Sequence, residues 1–145
     1  MGDDASSGNG RPLVGMPAPD FRAEGFAGDG EEEFSEYELG DFRGKWLLLF
    51  FYPADFSPIC HSEINRLERL RETLERMNCA VLGVSTDTVY THKAWAASDQ
   101  IGELGFPLLS DSSHRISRSY RALDPEKGSA QRAHVLIDPE GVIQY

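Results

Sequence analysis

Cysteine is scarce in this chain: 145 residues hold two, Cys60 and Cys79. Two thiols do not make a disulfide scaffold, and they fit a reducing compartment, so the expected location is cytoplasmic. Long apolar runs are also lacking. The longest, Trp46 to Tyr52, is far shorter than the roughly 20 residues that cross a bilayer, and no membrane partner is expected. No basic run exists either: 14 Lys and Arg stand against 24 Asp and Glu, a net charge of −10, which argues against nucleic acid as a partner. The four histidines, His61, His92, His114 and His134, are dispersed, none at zinc-ligand spacing with another or with a cysteine, so a metal site is not expected. No cofactor is expected either. Residues 1–12 are small, polar and Gly/Ser-rich, with neither the basic start nor the apolar stretch of a secretory signal, and they read as a disordered tail. The 40% hydrophobic content is enough for one core, assigned to a single domain over 13–145.

What is present alternates between two periods. Lys45 to Tyr52 is a continuous apolar run of strand length, as expected for a central strand covered on both faces. From Cys60 onward Ile64, Leu67, Leu70, Leu74 and Met77 recur every three or four residues, with Glu and Arg between them, which predicts an amphipathic helix. Ala80 to Ser85 reads as a second buried strand. Asp87 or Thr88 can cap a following helix that carries His92, Trp95 and Ala96. A short strand at Pro107 to Ser110, a short helix at Ser113 to Tyr120, a strand at Arg132 to Asp138 and a turn at Pro139-Glu140-Gly141 into Val142 to Tyr145 complete the pattern. The alternation predicts an α/β fold, a mixed central sheet flanked by helices with an antiparallel pair at one side. The acidic segment Gly25 to Tyr37 is expected as a surface loop or irregular hairpin.

Chemistry concentrates at the junction of the first apolar strand and the first helix. Cys60 stands where that helix begins, and unpaired backbone N–H groups with the positive end of the helix dipole stabilise an anion there. A thiolate is the reactive form of cysteine. Residues Pro53, Ser57 and Cys60 fit Pro-x-x-x-(Thr/Ser)-x-x-Cys, and at this point the chain resembles the peroxiredoxins, the alkyl hydroperoxide reductase and thiol-specific antioxidant family. The resemblance runs from about Leu13 to Tyr145. It includes Gly15-Met16-Pro17-Ala18-Pro19-Asp20-Phe21, Ser62-Glu63-Ile64, Val84-Ser85-Thr86-Asp87, Thr91-His92-Lys93-Ala94-Trp95, Pro107-Leu108-Leu109-Ser110-Asp111 and Ile137-Asp138-Pro139-Glu140-Gly141.

The resemblance implies a thioredoxin-like fold and a thiol-dependent peroxidase that reduces hydrogen peroxide and organic hydroperoxides through a cysteine sulfenic acid. By the same resemblance Cys60 is the peroxidatic cysteine, Ser57 supplies a hydroxyl to the peroxide, and Pro53 orders the turn and shields the sulfur. Arg132 is the distant arginine before its strand, a cation that steadies charge on the departing oxygen. Glu63 is expected to orient Arg132, although an exposed carboxylate favoured by the helix dipole accounts for it equally well. His61 stands where many relatives carry proline, and a solvent-facing position in the first turn is expected. The implied partners are the peroxide, a thioredoxin-like protein or small-thiol reductant, and further copies in a homodimer or larger homo-oligomer.

Cys79 is not expected to pair with Cys60. A helix over 60–77 at 1.5 Å per residue separates them by about 25 Å, against a ceiling near 7 Å between bridged α-carbons. Cys79 reads as a small core residue. The family's resolving cysteine would fall beyond Tyr145, and the chain, ending four residues after Gly141, is expected to be truncated in its final strand, leaving an unprotected edge. Two rival functions remain. A peroxide-sensing relay or chaperone-like module with low turnover would use the same cysteine. A thioredoxin-type disulfide reductase would need a cysteine where Ser57 stands, and is set aside.

Overall fold

The computed structural model describes residues 13–28, 32–101 and 104–145; the tail assigned to 1–12 lies outside them. Among the described residues eight strands and three α-helices follow in order. They are β1 (Arg22–Phe26), β2 (Phe34–Glu38), β3 (Trp46–Phe51), α1 (Pro58–Arg76), β4 (Cys79–Ser85), α2 (Val89–Ala96), β5 (Leu108–Ser110), α3 (Arg115–Ser119), β6 (Leu123–Asp124), β7 (Ser129–Ala130) and β8 (Ala133–Ile137). Six strands form one mixed sheet in the order β2-β1-β5-β4-β3-β8, and β6 with β7 forms a small hairpin.

The first apolar run is central as expected. β3 pairs in parallel with β4 from Trp46↔Cys79 to Phe51↔Val84, and antiparallel with β8 from Leu47↔Ile137 to Phe51↔Ala133. Because side chains alternate across a strand, the run feeds two layers at once. Leu47, Leu49 and Phe51 pack with Leu82, Val84, Leu109, Ile116 and Tyr120 on one side. Phe50 and Tyr52 pack with Cys60, Ile64, Leu67, Val81, Trp95 and Leu108 on the other.

Three expectations need correction. The amphipathic pattern on α1 meets the core at Ile64 and Leu67 and partly at Leu74, whereas Leu70 is 48% and Met77 65% exposed, the latter as the residue that caps the helix. The acidic segment after Gly25 belongs to a regular hairpin, β1 pairing with β2 from Arg22↔Glu38 to Phe26↔Phe34. Its charges line the outermost strand, where they discourage edge-to-edge association.

The end of the chain is not an open edge. Gly141, at φ +89, turns residues 142–145 back along β8, where Leu136 donates to the Tyr145 carbonyl at 3.0 Å and Gln144 to that of Leu136 at 2.8 Å. On the far side Ile143 receives Gly15 N–H at 2.8 Å and donates to Met16 O at 3.0 Å. The segment around Met16 covers the edge.

Candidate active site

Proline and a short polar residue start α1 where β3 ends. Ser57 is extended, at φ −78 and ψ 133, and its hydroxyl accepts from the Cys60 amide at 3.4 Å. Pro58 follows at the first helical position, where its missing N–H costs nothing and its fixed φ suits the helix. Cys60 therefore lies in the first turn, fully buried against the sheet.

Arg132 reaches this sulfur from a distant part of the chain. The segment from β7 into β8 carries it over the start of α1, where its Nη2 donates to Cys60 Sγ at 3.6 Å and its Nε to Glu63 Oε1 at 3.1 Å. Glu63 thus anchors the guanidinium, which fits the orienting reading better than the unattached one. Pro53 is half-buried at the opening of the turn. All five sequence-predicted residues belong to this one region, and four of them are linked by direct hydrogen bonds.

Beneath the turn lies a polar network that sequence reasoning missed. Asp55 is 7% exposed and His92 fully buried. Asp55 accepts from the Tyr52 hydroxyl at 2.7 Å and meets His92 Nδ1 at 2.6 Å; its own amide donates to Asp87 Oδ2 at 2.8 Å. His92 Nε2 stands 2.9 Å from the Leu109 carbonyl. A carbonyl only accepts, so Nε2 carries a proton and Nδ1 shares one with Asp55. Burial raises the Asp55 pKa against the opposing pull of His92, and burial, reinforced by Asp55, holds the Tyr52 hydroxyl well above its ordinary range. The network ties the turn to α2 and β5. A signal for it existed: Val89, His92 and Trp95 share the three-residue spacing of the buried face of α2.

Between the network and Cys60, Phe56 is held at φ +67, an uncommon conformation for a bulky residue and one that clusters at functional turns. Its ring lies 6.3 Å from that of Trp95. His61 is half-buried instead of solvent-facing, with Nδ1 enclosed and lacking a hydrogen-bond partner. Cys79 begins β4 at 7% exposure, and both cysteines are free. Among the described residues no three His, Cys, Asp or Glu side chains group as metal ligands, and no helix is long and apolar enough to cross a membrane.

A buried cysteine in the first turn of a helix, contacted by an arginine on a thioredoxin-like α/β domain, defines a thiol-based redox enzyme. The chain belongs to the AhpC/TSA family, whose model matches residues 14–145. It is 42% identical over 133 residues to a thioredoxin peroxidase of Fasciola hepatica, covering 89% of this chain and 67% of that one. To the chloroplastic 2-Cys peroxiredoxin BAS1 of Hordeum vulgare it is 42% identical over 139 residues, covering 92% of this chain and 65% of the relative, so it spans about two thirds of both. The crystal structure of Enterococcus faecalis AhpC superposes with a TM-score of 0.87 at 38% identity, covering 93% of this chain and 80% of that one. Reduced 2-Cys peroxiredoxin of Plasmodium vivax also gives 0.87, at 40% identity, covering 92% and 83%.

Proposed function

We propose that this chain is a thiol-dependent peroxidase that reduces hydrogen peroxide and organic hydroperoxides at Cys60. The observation that carries the assignment is the hydrogen bond from Arg132 Nη2 to Cys60 Sγ, a fixed cation on a buried sulfur. The thiolate attacks one peroxide oxygen; the sulfur–oxygen bond forms as the oxygen–oxygen bond breaks, and the other oxygen leaves as water or an alcohol after taking a proton. Cysteine becomes sulfenic acid, oxidised by two electrons as the peroxide is reduced by two. Negative charge moves from sulfur to the departing oxygen, so the positioned guanidinium serves both ends of the step without reorganising. Ser57, its oxygen accepting from the Cys60 amide, has its hydroxyl hydrogen left to offer the peroxide. Glu63 holds Arg132 in place and Pro53 shapes the turn.

Turnover needs a thiol from outside the described residues, because Cys79 follows the far end of α1. A thioredoxin-like protein or small thiol attacks the sulfenic sulfur, releases water and forms a mixed disulfide that a second thiol resolves. A homo-oligomeric assembly and a cytoplasmic setting complete the proposal; the assembly is checked by light scattering.

Intact mass spectrometry after one equivalent of hydrogen peroxide tests the nucleophile. Wild type and Cys79→Ser gain one oxygen, and Cys60→Ser gains none; oxygen retained on Cys60→Ser overturns the assignment. Peroxide consumption with excess dithiothreitol separates an enzyme, which runs far above the rate of dithiothreitol alone, from a relay of low turnover, which adds little to that rate.

A further inference from the structure

The helical pattern puts His92 on α2 and gives it no role, yet in the structure both of its ring nitrogens are engaged. Nε2 lies 2.9 Å from the Leu109 carbonyl in β5, and Nδ1 lies 2.6 Å from Asp55 Oδ2. The imidazole is fully buried, so water does not compete for either contact. It therefore links an interior strand of the sheet to the turn that leads into α1. Asp55 stands five residues before Cys60 and two before Ser57, whose hydroxyl caps the Cys60 amide.

Between Asp55 and Ser57, Phe56 is left-handed at φ +67, which is unfavourable for a bulky side chain. Burial is a weak reason for it, because the residue is 45% exposed and its ring lies 6.3 Å from that of Trp95. What is fixed is the residue before it. Asp55 Oδ1 accepts from the Tyr52 hydroxyl at 2.7 Å, Oδ2 meets His92, and the amide donates to Asp87 Oδ2 at 2.8 Å. A strained conformation persists where its surroundings over-determine it, and here the surroundings act through Asp55. Past Phe56 the chain is extended at Ser57, the Ser57 hydroxyl meets the Cys60 amide at 3.4 Å, and the sulfur lies 3.6 Å from Arg132 Nη2. With Asp55 released, Phe56 is free to relax to an ordinary conformation, and the cap and the sulfur move with it.

We propose that His92 is a positioning residue for the reaction at Cys60: by holding Asp55, it keeps Phe56 left-handed and so sets the Ser57 cap and the sulfur within reach of Arg132. This rests on the peroxidase reading of Cys60. His92 acts through Asp55 and not on the reacting atoms, so the bonds made and broken at sulfur are unchanged. Because α2 itself carries the side chain, the contact at Nδ1 governs the rate more than the contact at Nε2.

Two substitutions separate the two contacts. An asparagine amide occupies nearly the place of Nδ1 and a glutamine amide that of Nε2, so His92→Asn keeps a donor for Asp55 and gives up Leu109, and His92→Gln does the reverse. Each loses one buried hydrogen bond, and their urea midpoints are expected to fall alike. Their chemistry should differ: stopped-flow oxidation of Cys60 by hydrogen peroxide is expected to be about tenfold slower in His92→Gln than in His92→Asn, the effect of losing a charge-assisted bond from the turn. Equal rates, or a slower rate with asparagine, overturn the proposal. Should His92→Gln fail to fold, Asp55→Asn against Asp55→Ala makes the comparison from the other partner. The asparagine accepts from Tyr52 and donates to Nδ1, and it is expected to react about tenfold faster than the alanine; equal rates there overturn the proposal as well. Failure of folded wild type to react with hydrogen peroxide at Cys60 defeats the peroxidase reading itself, whereas normal wild-type reaction with equal variants defeats only the role of His92.

Discussion

Cys60 and Cys79 flank the same helix, one in its first turn and one just beyond its end, and both are buried. Exposure does not separate them; surroundings do. Around Cys60 the amide is capped by Ser57 and the sulfur receives a guanidinium hydrogen. Cys79 has its Sγ 3.5 Å from the Ala80 carbonyl, an acceptor, and burial pushes its thiol above the ordinary cysteine range. A buried sulfur near an acceptor keeps its proton, whereas the guanidinium beside Cys60 is placed to meet the charge that a reaction at that sulfur would move. On the proposed reading of Cys60, reactivity follows from which end of the helix a cysteine occupies and what charge the chain brings to it.

Removing the cation should weaken that contrast most. Arg132→Gln retains a hydrogen-bond donor but loses the charge, and the rate of Cys60 oxidation by hydrogen peroxide is expected to fall by about a thousandfold. Stopped-flow kinetics measures this. A loss below tenfold would mean that the helix terminus alone activates the sulfur. The fold should survive, because Arg132 keeps 39% of its side chain exposed and its solvent-accessible pair with Glu63 adds little stability.

The platform under the turn comes next. Asp55→Ala leaves the Tyr52 hydroxyl and His92 Nδ1 buried without their acceptor, at an expected cost of about 3 kcal/mol in unfolding free energy. Urea denaturation reads this as a lowered midpoint at an unchanged slope. Native-state hydrogen exchange sharpens the comparison: amides in the first turn of α1 should lose protection, and those of β4 beside Cys79 should keep theirs. Equal loss at both ends would make the network a general stabiliser with no special tie to Cys60.

What was legible in the sequence follows the range of the interactions. β3, α1 and β4 were readable because their periods are local, and so were Ser57 and Cys60, whose spacing is that of a cap and its first turn. Arg132 and Glu63 lie 69 residues apart, and they were joined in advance only through a family resemblance. Asp55 and His92, 37 residues apart, had no such guide, since nothing local says that two polar side chains will be buried against each other. The fate of Leu70 and Met77 was hidden for the opposite reason: their spacing is helical, but burial depends on how much of the helix the sheet covers.

The smallest effects probe the two ends of α1 directly. Ser57→Ala removes the acceptor for the Cys60 amide and should cost about 1 kcal/mol of stability. Asn78 closes the other end at φ +62, with its side-chain amide donating to the Gly44 carbonyl at 3.0 Å. Asn78→Ala gives up that bond and places alanine in a left-handed conformation, for a similar cost of about 1 kcal/mol. Stability therefore should not distinguish the two variants, but peroxide kinetics should. Ser57→Ala slows oxidation of Cys60 and Ser57→Thr largely restores it, whereas Asn78→Ala reacts at the wild-type rate. If both alanine variants slow the reaction equally, the rate reports the integrity of the helix, and the hydroxyl at Ser57 has no role beyond its cap.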